Sequence, residues 1–186
     1  ARGVTKQPYH VLVDGNHGYN PRRDIHAVAC YHPLPPRSLI KIDKGFWVTS
    51  PELTFIQICA DEELSDFDII SLGYELCGTY VLDDSWDGLT CIDESLTSTE
   101  KIGRLINSIH RVPGIKRARN LIKHVHDLSN SPMETTLAML VSLPTTKGGF
   151  GLGPISLNHP VATPVGQRRV DIAFPKQRVG LEYQGK

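Results

Sequence analysis

The sequence predicts a mixed α/β chain of the α+β kind: a β-rich front segment, a helical middle, and a final helix that leads into strands. Three observations predict it. Up to Ser50, short runs rich in Val, Ile and aromatic residues alternate with Gly-, Asn- and Pro-dense turns. From Ser50 the apolar spacing shifts to the three-and-four rhythm of helices, each opened by a capping residue. After the glycines of KGGFGLGP, strict alternation returns. The 186 residues suit one ordinary domain or two small ones, and the pattern divides them into a front domain, 1–128, and a terminal unit, 131–186.

In chain order, the front strands read His10–Val13, Ile25–Tyr31 and Leu39–Ser50, separated by DGNHGYNPRR and HPLPPR. Ser50-Pro51-Glu52 is a helix start, with Ser as cap and Pro at the first helical position, and LTFIQICAD follows. Ser65 and Asp68 repeat the capping logic before FDIISLGYELCG, where Ile69, Leu72 and Leu76 mark an apolar side. Past the acidic stretch DDSWDGLTCIDESLTS, Thr97 and Glu100 stand at capping-box spacing, and Ile102, Leu105, Ile106 and Ile109 form one helix face. After Pro113-Gly114, IKRARNLIKHVHD turns Ile115, Ala118, Ile122 and Val125 inward and Lys116, Arg117, Arg119, Lys123 and His126 outward. Ser131-Pro132-Met133-Glu134 opens the last helix, where Glu134 suits a capping-box acid.

Twenty acids and twenty bases cancel, so no global field draws the chain to nucleic acid and any such contact is a local patch. The basic helix with Lys116, Arg119 and Lys123 can lie along phosphates, as can Arg168 and Arg169, although a solvated face explains such runs more often. The four cysteines contain no C-x-x-C pair and fit structural thiols in a reducing, cytoplasmic setting. The eight histidines, His17 and His32 among them, lack the spacing of metal ligands. No stretch has the length of a membrane span, and no charged-then-apolar leader precedes the body.

The chemistry lies in RRVDIAFPKQRVGLEYQGK, Arg168 to Lys186. Val170, Ile172 and Phe174 share one strand face, and Val179, Leu181 and Tyr183 share another, which sets Asp171, Glu182, Gln184 and Lys186 off the apolar side. If Phe174 pairs with Val179 across Pro175–Arg178, Asp171 stands opposite Glu182. Two carboxylates so placed repel unless a cation lies between them, and a hard divalent ion such as magnesium suits the pair. An ordinary surface hairpin remains the plainer reading of the same alternation.

These residues resemble the core hairpin of PD-(D/E)xK nucleases, and more narrowly the very-short-patch-repair-like group of small bacterial endonuclease domains. Ser131 to Val161 is similar to that group's opening helix with its Glu, its glycine-containing bend and its strand bearing an Asn. The resemblance implies a partial restriction-endonuclease-like αβββ core, with Asp171 and Glu182 holding magnesium, Glu134 supporting the site and Gln184 positioning the attacking water. Gln184 stands where the superfamily prefers Lys and the narrower group Asp, and the group continues past this point with a His and further strands. The front segment, above all WVTSPELTFIQICA, is similar to the middle of AbiEi-type antitoxins. What the resemblances imply is a magnesium-dependent DNA endonuclease, with a catalytically inactive DNA-binding or partner-binding regulator related to toxin-antitoxin antitoxins as the alternative.

Overall fold

The computed structural model describes residues 8–15, 20, 22–31, 33–83 and 88–184. His17, His32, Gly185 and Lys186 lie outside the described residues. The class is α+β, with five α-helices and several small sheets among the described residues.

The front carries two separate pairs of strands. β1 (Tyr9–Asp14) and β2 (Ile25–Cys30) run parallel and set His10 against His26, their ring centroids 4.9 Å apart. β3 (Leu39–Asp43) and β4 (Phe46–Thr49) form an antiparallel hairpin, where the sequence reads as one strand from Leu39 to Ser50. The chain reverses because Gly45 takes φ +81° without steric cost, while the Asp43 carboxylate accepts the Lys44 N–H at 2.6 Å.

The helical middle consists of α1 (Pro51–Ile58), α2 (Asp66–Cys77), the small hairpin β5 (Tyr80–Leu82) and β6 (Leu89–Cys91), α3 (Thr99–Ser108) and α4 (Ile115–Leu121). α5 (Pro132–Ser142) then leads to the antiparallel sheet of β7 (Ser156–Thr163), β8 (Gly166–Phe174) and β9 (Val179–Leu181), with β8 central. Serine caps open the longer helices: Ser50 for α1, Ser65 with a full capping box for α2, and Ser131 for α5. At α3 the cap is Ser98 rather than Thr97, its hydroxyl accepting the Lys101 N–H at 3.3 Å. Thr97 is buried and instead donates to Glu52 at 2.5 Å, a contact between residues 45 apart that no local pattern announces.

One cluster of buried apolar side chains joins the helices to the last sheet. Phe55 and Ile56 of α1, Ile69, Ile70 and Tyr74 of α2, Ile102 of α3, Leu121 of α4 and Met139 of α5 meet Ile172 and Phe174 of β8 within it. Gly114 shows how tightly α1 and α4 approach, since a Cβ there would lie 2.5 Å from the Ile56 carbonyl oxygen. No helix among the described residues is long and apolar enough to cross a membrane.

The basic run of α4 faces inward more than its sequence pattern suggests. Arg117 is half-buried and donates to the Asp66 carboxylate at 2.9 Å, to the Asp61 carbonyl at 2.7 Å and to the Leu64 carbonyl at 2.6 Å. Arg119 donates to the Ile106 and Ile109 carbonyls at 3.3 and 3.2 Å, closing the end of α3. A rigid guanidinium fork can satisfy several acceptors at once, which a solvated surface lysine does not. Arg117→Met strands two carbonyls and half of the Asp66 pairing, and is expected to lower the unfolding free energy by about 2 kcal/mol in urea titrations. Lys116→Met, one residue away on the exposed side, is expected to change it by no more than ~0.5 kcal/mol.

Candidate functional site

The β8–β9 hairpin has the register that its apolar residues demand: Phe174 pairs with Val179, Ala173 with Gly180 and Ile172 with Leu181. Ile172 and Phe174 are buried in the core, which directs the half-buried Asp171 away from it. One step beyond the last pair, the same register points Asp171 toward Glu182. The ladder ends there, because β9 stops at Leu181 and the next contact is made by a side chain: the Tyr183 N–H donates to Asp171 Oδ2 at 2.8 Å. Gln184 is exposed beyond the end of β9, so the expected row of Gly180, Glu182 and Gln184 along one strand is broken after its first member.

Glu134 reaches the same place from the first turn of α5. Ser131 Oγ accepts the Glu134 N–H at 3.2 Å, and the carboxylate takes the Ser131 hydroxyl at 3.2 Å and the Asn130 N–H at 3.1 Å. The residue is therefore a helix cap and a member of the acidic group at once. Burial raises its pKa above the ordinary carboxylate value, and the charges of Asp171 and Glu182 add to the rise, against the lowering exerted by the Asn130 N–H and the Ser131 hydroxyl. No described Lys or Arg forms an ion pair with any of the three acids. Among the described residues no group of three or more His, Cys, Asp or Glu is placed to hold a metal ion by itself.

A polar lattice that the sequence reading missed supports the acids. Asn130, between Leu128 and the cap of α5, accepts the Thr79 hydroxyl at 2.7 Å and donates its amide to Asn158 Oδ1 at 2.9 Å. Asn158 in turn donates to the Leu128 carbonyl at 2.6 Å. Beneath them Ser129 is fully buried, its hydroxyl donating to the Ser131 carbonyl at 3.2 Å. With that proton committed, Thr135 donates to Ser129 and Tyr80 to Thr135, at 2.8 and 3.0 Å. The available signal was Asn158 itself, a poor strand former within SLNHPV.

The basic candidates are divided. Arg169 lies on β8 two residues from Asp171, about 7 Å along the strand, with the exposed Arg168 beside it. Lys116 and Arg119 line a different place, a cleft of about 600 Å³ with Cys59, His110 and Arg111 at the junction of α1, α3 and α4. That cleft lies toward the Asp66 end of α2, whose Cys77 end bonds Leu128, so most of the length of α2 separates it from the acids: twelve residues, or about 18 Å at the rise of an α-helix. Lys123 is exposed on the short 3-10 turn after α4.

The raised pKa has a signed consequence. Folding favours the protonated Glu134, so its contribution to stability declines as pH rises from the ordinary value of 4.5 through the raised folded value, and the penalty persists above it. Asp171→Asn removes one repelling charge while keeping an acceptor for the Tyr183 N–H. The Glu134 pKa, followed by carboxyl ¹³C NMR, is expected to move down toward 4.5 in this variant; an unchanged titration would separate the two acids. Comparison with known proteins supplies no family for the chain: no family model matches it, and neither a curated protein nor a solved structure shows significant similarity.

Proposed function

We propose that the chain is a magnesium-dependent DNA endonuclease-like protein of the PD-(D/E)xK kind that hydrolyses phosphodiester bonds. The observation that carries this reading is the acidic group itself: Glu134, in the first turn of α5, has its pKa raised chiefly by burial, and the charges of Asp171 on β8 and Glu182 just past β9 add to that rise. Crowded carboxylates without a partnering cation are unfavourable, and binding a cation relieves them.

Magnesium fits Asp171 and Glu182 as a pair, because this ion is commonly held by one or two carboxylates and completes its shell with water and phosphate oxygens. The Tyr183 N–H holds one Asp171 oxygen and so sets the plane of that carboxylate. When bound, the ion supplies a Lewis acid that lowers the pKa of water and offsets charge on the departing oxygen. Glu134, at the head of α5, supports the site from the helix side. Gln184 carries no charge and orients water through its amide. Arg169, on the same face of β8 as Asp171, extends the site toward a phosphate backbone, while Arg168 alternates to the other face.

The second reading is an inactive DNA-binding or partner-binding regulator. Gln184, exposed past the end of β9, favours it, as does the lack of a three-ligand cluster among the described residues. Cleavage of supercoiled plasmid with magnesium separates the two. The endonuclease reading expects nicking that EDTA abolishes and that Asp171→Ala and Glu182→Ala each reduce on the order of 100-fold or more. The regulator reading expects no nicking, with salt-sensitive DNA binding that Asp171→Ala leaves intact or tightens, since the substitution removes a charge that repels phosphate.

A further inference from the structure

Asn158 stands inside β7 at φ +48°, a left-handed conformation that a strand residue adopts only where its surroundings hold it. Two amide bonds hold it, one donated to the Leu128 carbonyl and one accepted from Asn130. Leu128, at the far end of the first bond, is itself left-handed at φ +66°. The strain coincides with a gap in the ladder. β7 and β8 pair at Ser156↔Ala173 and Leu157↔Ile172 and again from His159↔Val170, and the step left out sets Asn158 opposite Asp171.

We propose that Asn158 is a positioning residue for the acidic site. Its amide clamps β7 to the turn Leu128–Asn130, and the clamp sets where Asp171 on β8 lies relative to Glu134 at the head of α5. The inference rests on the metal-site reading of Glu134, Asp171 and Glu182.

The chemistry of the clamp selects asparagine. Its side chain must donate to a carbonyl and accept from an amide at once, which a carboxylate cannot do, and a short polar side chain is among the few that tolerate positive φ. The orientation of both amides follows from the Leu128 carbonyl, which can only accept: it takes Asn158 Nδ2, so Asn158 Oδ1 meets Asn130 Nδ2 and Asn130 Oδ1 is left to accept the Thr79 hydroxyl. The backbone N–H of the same Asn130 binds the Glu134 carboxylate. Contacts therefore run unbroken from Asn158 through Asn130 to Glu134, while Asp171 takes the step of β8 that Asn158 leaves unpaired. Outer residues that orient metal-binding carboxylates act in this way.

The test is a manganese titration of the full chain by electron paramagnetic resonance, with thermal unfolding of each variant measured alongside. Asn158→Gly suits it, because glycine keeps the positive φ without strain and removes only the amide. Asn130→Ala removes the link from Asn158 to the residue whose N–H binds Glu134, keeps the bond to the Leu128 carbonyl, and leaves the backbone of β7 untouched. Both variants are expected to weaken manganese binding about tenfold with melting midpoints close to that of the wild type, and Asp171→Ala to lose binding. Affinity in Asn158→Gly and Asn130→Ala within about twofold of wild type, with Asp171→Ala still deficient, would overturn the clamp and leave the acidic site standing. Equal manganese binding by wild type and Asp171→Ala would overturn the acidic site and the clamp with it. If Asn158→Gly unfolds, Asn130→Ala decides between these outcomes alone.

Discussion

The turn from Leu128 to Ser131 is the constraint on which the candidate site depends. Its first residue bonds the end of α2 through the Cys77 carbonyl, and the Ser129 carbonyl accepts the Thr79 N–H, each within 3 Å. Ser129 is buried and hydrogen-bonded in series with Thr135 and Tyr80, so the turn is locked from below by hydroxyls that have no water to turn to. From this base Asn130 reaches Glu134 and Asn158, and Ser131 opens α5. Move the turn, and the cap of α5, the left-handed Asn158 of β7 and the environment of Glu134 move together.

Charge in this chain is spent on cohesion at one end and left unresolved at the other. Asp66 pairs with both Arg117 and Lys147, and these partners hold its carboxyl below the ordinary value, with Lys147 the largest influence. Arg119 serves helix-end carbonyls. At the opposite end of α2 the relation inverts, for Glu134, Asp171 and Glu182 gather without an ion pair from any described cation. A stable fold resolves like-charge crowding where it can. That it persists beside a strained asparagine is the observation behind the proposed site.

Local chemistry made much of the framework legible. Ser50, Ser65 and Ser131 announced their helices because a cap is decided within three residues. The hairpin register was legible because only one pairing puts Ile172 and Phe174 in the core while leaving Pro175–Arg178 as the turn. The failures share a cause. Thr97 resembled a cap and instead bonds Glu52, and Arg117 resembled a solvated cation and instead holds three acceptors far from it in sequence. Lys44-Gly45 reversed a run whose hydrophobicity suggested continuity.

By itself the sequence determined the α+β class, the capped helices, and the pairing of Phe174 with Val179 in the last hairpin, since each follows from side-chain spacing along a single element or across one short turn. Only the tertiary structure decided that Glu134 joins Asp171 and Glu182, that Asn130 and Asn158 tie α5 to β7, and that Lys116 and Arg119 lie elsewhere. Those relations depend on how α2, α5 and β8 pack around a shared core. Packing brings together residues whose separation in the chain carries no periodic signal.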